Sequence, residues 1–267
     1  MHELSHTQGL SHAARGLDTY GDRGDVMGSA GNADGYLCMN PGNQLRVGWN
    51  SPIASLRPET VNTASNVNQR GVYRIPNLGT TDVNHVFINM TVPDKPYANH
   101  LVSYRLRTPT FDAILSSEYN NRVHIHQFNG TASDRDDNRT WLMALLSPGQ
   151  WYMSRFVDYG VGAAAGGALN FTVLNITDGH AYVRICHATV RSEDLCKDCC
   201  GDGIDNDCDG LADANDRECS TTPLSMPPPP SPLAAPHQSA CQPPCVVPTA
   251  ATQPRRALSP DRCSSTA

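Results

Sequence analysis

One short segment constrains this chain more than anything else in it. His2-Glu3-Leu4-Ser5-His6-Thr7-Gln8-Gly9-Leu10-Ser11-His12 reads H-E-x-x-H-x-x-G-x-x-H. On a helix, residues four apart stand on one face, so His2 and His6 are predicted to present two imidazoles to one ion. Neutral imidazole nitrogens suit zinc. Glu3 lies beside them, placed to take a proton from a zinc-activated water. Gly9 can adopt a positive φ, which lets the chain leave the helix sharply and return His12 as a third ligand. Three protein ligands leave open the fourth position that a catalytic zinc needs.

A second element follows. Asp22-Arg23-Gly24-Asp25-Val26-Met27-Gly28-Ser29 sets Met27 in a glycine-rich turn. The metzincin pattern ends in such a Met-turn, an apolar floor under the metal. With Leu10-Ser11-His12-Ala13, Asp25-Val26-Met27-Gly28, Cys38-Met39-Asn40 and Leu45-Arg46-Val47-Gly48-Trp49, the chain resembles the gametolysin (autolysin) metallopeptidases over residues 1 to about 190. The resemblance implies that His2, His6 and His12 hold Zn²⁺ and that Glu3 is the general base. It also implies cell-wall substrates rich in proline and hydroxyproline, as in the green algae where that family is best known. In metzincins an upper subdomain of sheet and helix precedes the active-site helix. The expectation is therefore an N-terminally truncated copy, with His2 on a frayed helix end as the weakest ligand. Low turnover by residues 1–267 alone is expected for the same reason.

Composition narrows the function class. The net charge of −6 argues against a nucleic-acid partner. No apolar run reaches the roughly 20 residues a membrane span needs. Gly160 to Ala168 is apolar but glycine-rich and reads as a flexible loop between strands. Ten cysteines point to an oxidising compartment, so the protein is expected to be secreted to an extracellular matrix or cell wall. Sequons at Asn89, Asn129, Asn138, Asn170 and Asn175 agree with that.

The predicted fold class is α+β. Residues 1–51 form the catalytic remnant, with residues 1–14 as the tail of the active-site helix and Arg46 to Trp49 closing the catalytic part against a short terminal helix. Residues 52–190 carry short alternating runs and read as an antiparallel β-sandwich. The runs are 71–75, 85–90, 101–107, 122–128, 169–174 and 181–186. His124 and His126 share one strand face and are expected to be exposed. Residues 196–219 are a Cys/Asp cassette, its cysteines read as disulfides rather than zinc ligands. Asp205, Asp207, Asp209, Asp213 and Asp216 fall at positions 1, 3, 5, 9 and 12 of a calcium loop, with Gly210 at position 6. A Ca²⁺ ion is the second expected cofactor. Residues 220–267 are Pro/Ser-rich and predicted to be a disordered tail.

The expected activity is zinc-dependent endopeptidase cleavage of matrix or wall glycoproteins. Tyr20 and Tyr36 are the nearby candidates for an oxyanion donor. Cys38 is expected to pair with a cysteine upstream of this chain or far downstream. The competing reading is a non-catalytic matrix glycoprotein built around the calcium cassette.

Overall fold

A computed structural model describes residues 2–29, 37–58, 60–61, 71–94, 97–129, 139–158 and 166–219. The Pro-rich segment 220–267 lies outside them. Helix α1 (His2–Thr7) and the two-residue strand β1 (Ala13–Ala14) come first, then helix α2 (Pro41–Arg46). Strands β2 (Ser51–Leu56), β3 (Val72–Pro76), β4 (Val83–Ile88), β5 (His100–Arg105) and β6 (Arg122–Gln127) follow. The series ends with β7 (Thr140–Leu146), β8 (Trp151–Met153), β9 (Ala168–Thr177) and β10 (His180–Ala188). One sheet runs β1-β7-β6-β5-β4-β2 and the other β3-β10-β9-β8.

Two pairings are parallel, β1 with β7 and β2 with β4, which corrects the expectation of a purely antiparallel sandwich. The reason is connectivity. Antiparallel neighbours join through tight hairpins, but parallel ones need a long crossover. β1 reaches β7 from far upstream, and β3, in the other sheet, separates β2 from β4. The helix expected over 1–14 is also shorter, because Gly9 turns the chain at φ +82°.

Period-2 alternation builds the core. Val86, Ile88, Val102, Tyr104, Val123 and Ile125 of the larger sheet meet Leu169, Phe171, Val173, Ala181, Val183 and Ile185 of the smaller one. The opposite face of β5 and β6 is buried as well. Helix α2 packs on both strands. Leu10, Ala13, Val26, Met27 and Met39 form a second apolar cluster with Leu115, Tyr119 and Leu142. The N-terminal segment is thus a third layer that shares a sheet and a core with the sandwich. This overturns the expectation for His124 and His126, which are fully buried. Their alternation with Val123 and Ile125 is real, but the outer face they occupy is covered rather than solvated.

Helix α2 is capped at both ends. The Asn40 side chain accepts from the Asn43 N–H at 3.0 Å, and Pro41 opens the helix. Gly48, at φ +73°, closes it, with Trp49 N–H donating to the Gln44 carbonyl. Residues 159–165 lie outside the described residues, and Ala168 already begins β9.

Disulfides join Cys186 to Cys208, Cys196 to Cys199 and Cys200 to Cys219. The first ties the cassette to β10. Asn170 is buried, and its amide donates to the Cys208 carbonyl at 2.9 Å. That sequon asparagine is therefore closed to glycosylation in the folded chain, whereas Asn129 and Asn175 are exposed. Among the described residues no helix is long and apolar enough to cross a membrane.

Candidate metal centre

Six residues of helix are enough to stack His2 and His6 on one face. The helix ends in a Schellman arrangement: Leu10 N–H donates to the Ser5 carbonyl and Gly9 N–H to the His6 carbonyl. A positive φ at Gly9 permits it, and Leu10 buries against the Met27 cluster. The chain then doubles back and delivers His12. Ring centroids stand 4.9 Å apart for His2–His6, 5.4 Å for His2–His12 and 4.9 Å for His6–His12. Each residue offers a nitrogen within 4.8 Å of the other two.

Hydrogen bonds assign the tautomers. His2 Nδ1 lies 2.8 Å from the Val26 carbonyl, and His6 Nδ1 lies 2.8 Å from the Leu10 carbonyl. A carbonyl only accepts, so both Nδ1 atoms carry the proton and both Nε2 lone pairs are free. His6 Nε2 is 3.2 Å from His12 Nε2. Two nitrogens about 2.05 Å from one zinc, at the tetrahedral angle, stand about 3.3 Å apart. The three residues therefore fit zinc. Burial pushes the His12 imidazole below its ordinary value, and the neighbouring His6, His2 and Arg139 add to the shift. A neutral ring is the form that binds a metal. Glu3 is exposed, and its charge partly offsets that shift.

The segment that holds His2 through the Val26 carbonyl is a set of tight turns, with Asp25 N–H donating to the Asp22 carbonyl and Gly28 N–H to the Asp25 carbonyl. Met27 is fully buried. Its carbonyl accepts from Ala13 N–H at 2.9 Å, and its own N–H donates to Asp25 Oδ1 at 2.6 Å. Asp25 also accepts from the Asn40 N–H and the Asn43 amide. Burial, reinforced by the nearby Asp22 carboxylate, pushes Asp25 up to about 6. Burial also works to raise Asp22, but the His126 hydrogen bond and charge overcome it and hold that carboxyl low. His126 Nε2 lies 2.9 Å from Asp22 Oδ2. Arg105, fully buried on β5, donates to the Gly24 and Cys38 carbonyls and pairs with Asp112. The His126–Asp22, Arg105–Gly24 and Arg105–Cys38 contacts carry no signal in the motif, since each joins residues far apart in sequence.

Gly28 leaves no room for a side chain. A Cβ there would sit 1.8 Å from the Asp22 carbonyl oxygen, which is backbone and cannot rotate away. Gly28→Ala is expected to cost at least about 1–3 kcal/mol in urea unfolding, the range for overpacking. It should also weaken metal retention, because Val26, which orients His2, lies in the same turn.

Of the two tyrosines, Tyr20 packs on His12 with centroids 4.0 Å apart, while Tyr36 lies outside the described residues. Arg139, just before β7, reaches Thr19 at 3.4 Å and is a cation at this site that the motif does not foretell. Among the described residues Cys38 has no disulfide partner, and the downstream Cys241, Cys245 and Cys263 lie outside them. Burial, with the Asp112 carboxylate beside it, pushes the Cys38 thiol up to about 12, which makes it a poor nucleophile. In the cassette, Asp205, Asp207 and Asp209 come together, Asp216 joins Asp207 and Glu218, and Asp213 is in neither group.

The family model described as gametolysin peptidase M11 matches residues 1–158. An autolysin of Chlamydomonas reinhardtii is 33% identical over 249 residues, covering 82% of this chain. The match spans 38% of that autolysin's own length. No solved structure matches the chain. The family match runs from the three histidines through the Met27 turn and all of the larger sheet, so the chain belongs to the gametolysin peptidase M11 family.

Proposed function

We propose that this chain is the zinc-binding part of an extracellular endopeptidase that cleaves proline- and hydroxyproline-rich wall glycoproteins. One observation carries the metal assignment: the carbonyls of Val26 and Leu10 hold the Nδ1 atoms of His2 and His6, which leaves an Nε2 lone pair on each, and His6 Nε2 stands 3.2 Å from His12 Nε2. A zinc held by His2, His6 and His12 would supply a Lewis acid for the scissile carbonyl and lower the pKa of its water toward about 7. Glu3 accepts the proton of the attacking water and hands it to the leaving amine. Tyr20, beside His12 and partly exposed, is placed to offer its phenol to the developing oxyanion. Met27 is buried in the apolar cluster next to Val26, whose carbonyl holds His2, which supports its reading as the Met-turn residue. Family membership supports peptidase chemistry, and the disulfides support an oxidising, extracellular location. The substrate class rests on the resemblance to wall-degrading relatives.

Metal analysis tests this reading. Dialysed protein is expected to retain one zinc per chain, and chelator is expected to stop cleavage of a proline-rich glycoprotein. His6→Ala should lose zinc affinity by more than the roughly 10–100-fold that follows loss of a ligand's hydrogen-bond partner. Retention of zinc by His6→Ala would overturn the assignment. Zinc binding without any cleavage by the full-length protein would favour the non-catalytic matrix protein instead.

A further inference from the structure

The cassette holds acidic groups that the histidine centre does not use. Asp207, Asp216 and Glu218 each offer a carboxylate oxygen within 4.8 Å of the others, and Asp207 is shared with the Asp205–Asp209 group. Clustered acids alone mean little. The second observation is Asp216, which is only 1% exposed. Its Oδ1 accepts from the Glu218 N–H at 2.8 Å, but its Oδ2 is buried with no hydrogen-bond partner. Asp205 Oδ1 and Asp213 Oδ1 are buried and unpartnered in the same loop. Among the described residues no lysine or arginine forms an ion pair with these acids. Buried carboxylate oxygens without a donor are costly, and a cation is the group that removes the cost.

The frame around them is already built. Glu193 is fully buried, and its carboxylate accepts from the Asn206 N–H at 2.9 Å and the Asp213 N–H at 3.1 Å. Disulfides Cys200–Cys219 and Cys186–Cys208 close the loop and anchor it to β10. With those sulfurs in disulfides, the donors that remain are oxygens, which suit a hard cation.

We propose that Asp207, Asp216 and Glu218 bind one Ca²⁺, with Asp216 as the deciding ligand and Asp205 and water completing the shell. This ligand set differs from the loop spacing. Glu218, two residues past position 12, supplies the longer side chain that Asp216 lacks, and Asp213 is not a ligand. The ion locks the cassette onto the end of the smaller sheet where β9 begins and β10 finishes. The histidine centre takes no part in it, so the two assignments fail independently.

The test is calorimetric titration of CaCl₂ into the whole chain, stripped with chelator and refilled with one equivalent of zinc. One calcium equivalent is expected, with Kd of about 10⁻⁴–10⁻³ M as in extracellular calcium modules, and a rise in Tm. Asp216→Asn keeps the Oδ1 acceptor and removes the charge, and should weaken binding at least about tenfold, since ligand charge sets affinity over decades. Glu218→Gln, at an exposed position, should weaken it too and covers the case in which Asp216→Asn fails to fold. Asp198→Asn, exposed and outside both groups, should titrate like the parent protein. No heat and no Tm change up to about 10 mM calcium, ten times the weak end of that range, would overturn the proposal. So would parent-like binding by Glu218→Gln, or equal affinity for Mg²⁺.

Discussion

Glu3→Gln is expected to lower kcat/KM on a proline-rich glycoprotein by roughly 10²–10⁴-fold, the range for removing a positioned general base. The amide copies the shape of the carboxylate and keeps an acceptor oxygen, but it cannot take up the water's proton at neutral pH. Glu3 is exposed and lies outside the imidazole triad. The variant should therefore keep one zinc per chain and unfold within about 0.5 kcal/mol of the parent, as surface substitutions do. That split between intact metal and lost turnover separates a base from a structural residue. Cleavage at the parent rate by Glu3→Gln would remove Glu3 from the mechanism and leave the zinc assignment standing.

Asp112→Asn carries the largest expected stability loss. Arg105 and Asp112 are both fully buried, joined through Arg105 Nε at 2.9 Å and a second Nη2 contact. Removing one partner of such a pair strands a charge in the interior, at about 3–5 kcal/mol. A typical domain holds only about 5–15 kcal/mol, so most of its margin would go. Asn tolerates the positive φ that Asp112 adopts, so the measured loss reports charge rather than backbone strain. The damage should reach the metal centre. Arg105 also holds the Gly24 carbonyl, and Asp112 accepts from the Cys38 N–H at 2.8 Å. Urea unfolding and zinc affinity should fall together, and a loss below about 1 kcal/mol would show that the guanidinium keeps enough partners without its carboxylate.

The legible parts of the fold were those written in local periodicity. β3, β4, β5, β6, β9 and β10 all follow alternating runs. β7 escaped notice because Thr140–Leu146 is nearly continuous in apolar residues, with no period of two to read. β8 has three residues and β1 two, too short to carry a pattern. The caps of α2, Asn40-Pro41 and Gly48, are readable signals that bound the short helix just before Val47 to Trp49. Alternation sorted His124 and His126 to one face, but it holds no information on what covers that face.

What the sequence determined alone was the convergence of three imidazoles. Spacing along a helix turn and one glycine at its end are short-range geometry, set within a dozen residues. Tertiary structure decided the rest. The Val26 carbonyl under His2, the Asp22–His126 contact across 104 positions and the Arg105 bond to Gly24 across 81 exist only once the sheet has assembled. A buried charge or hydrogen bond takes its energy from the partner it meets, and the chain order does not say which distant residue that will be.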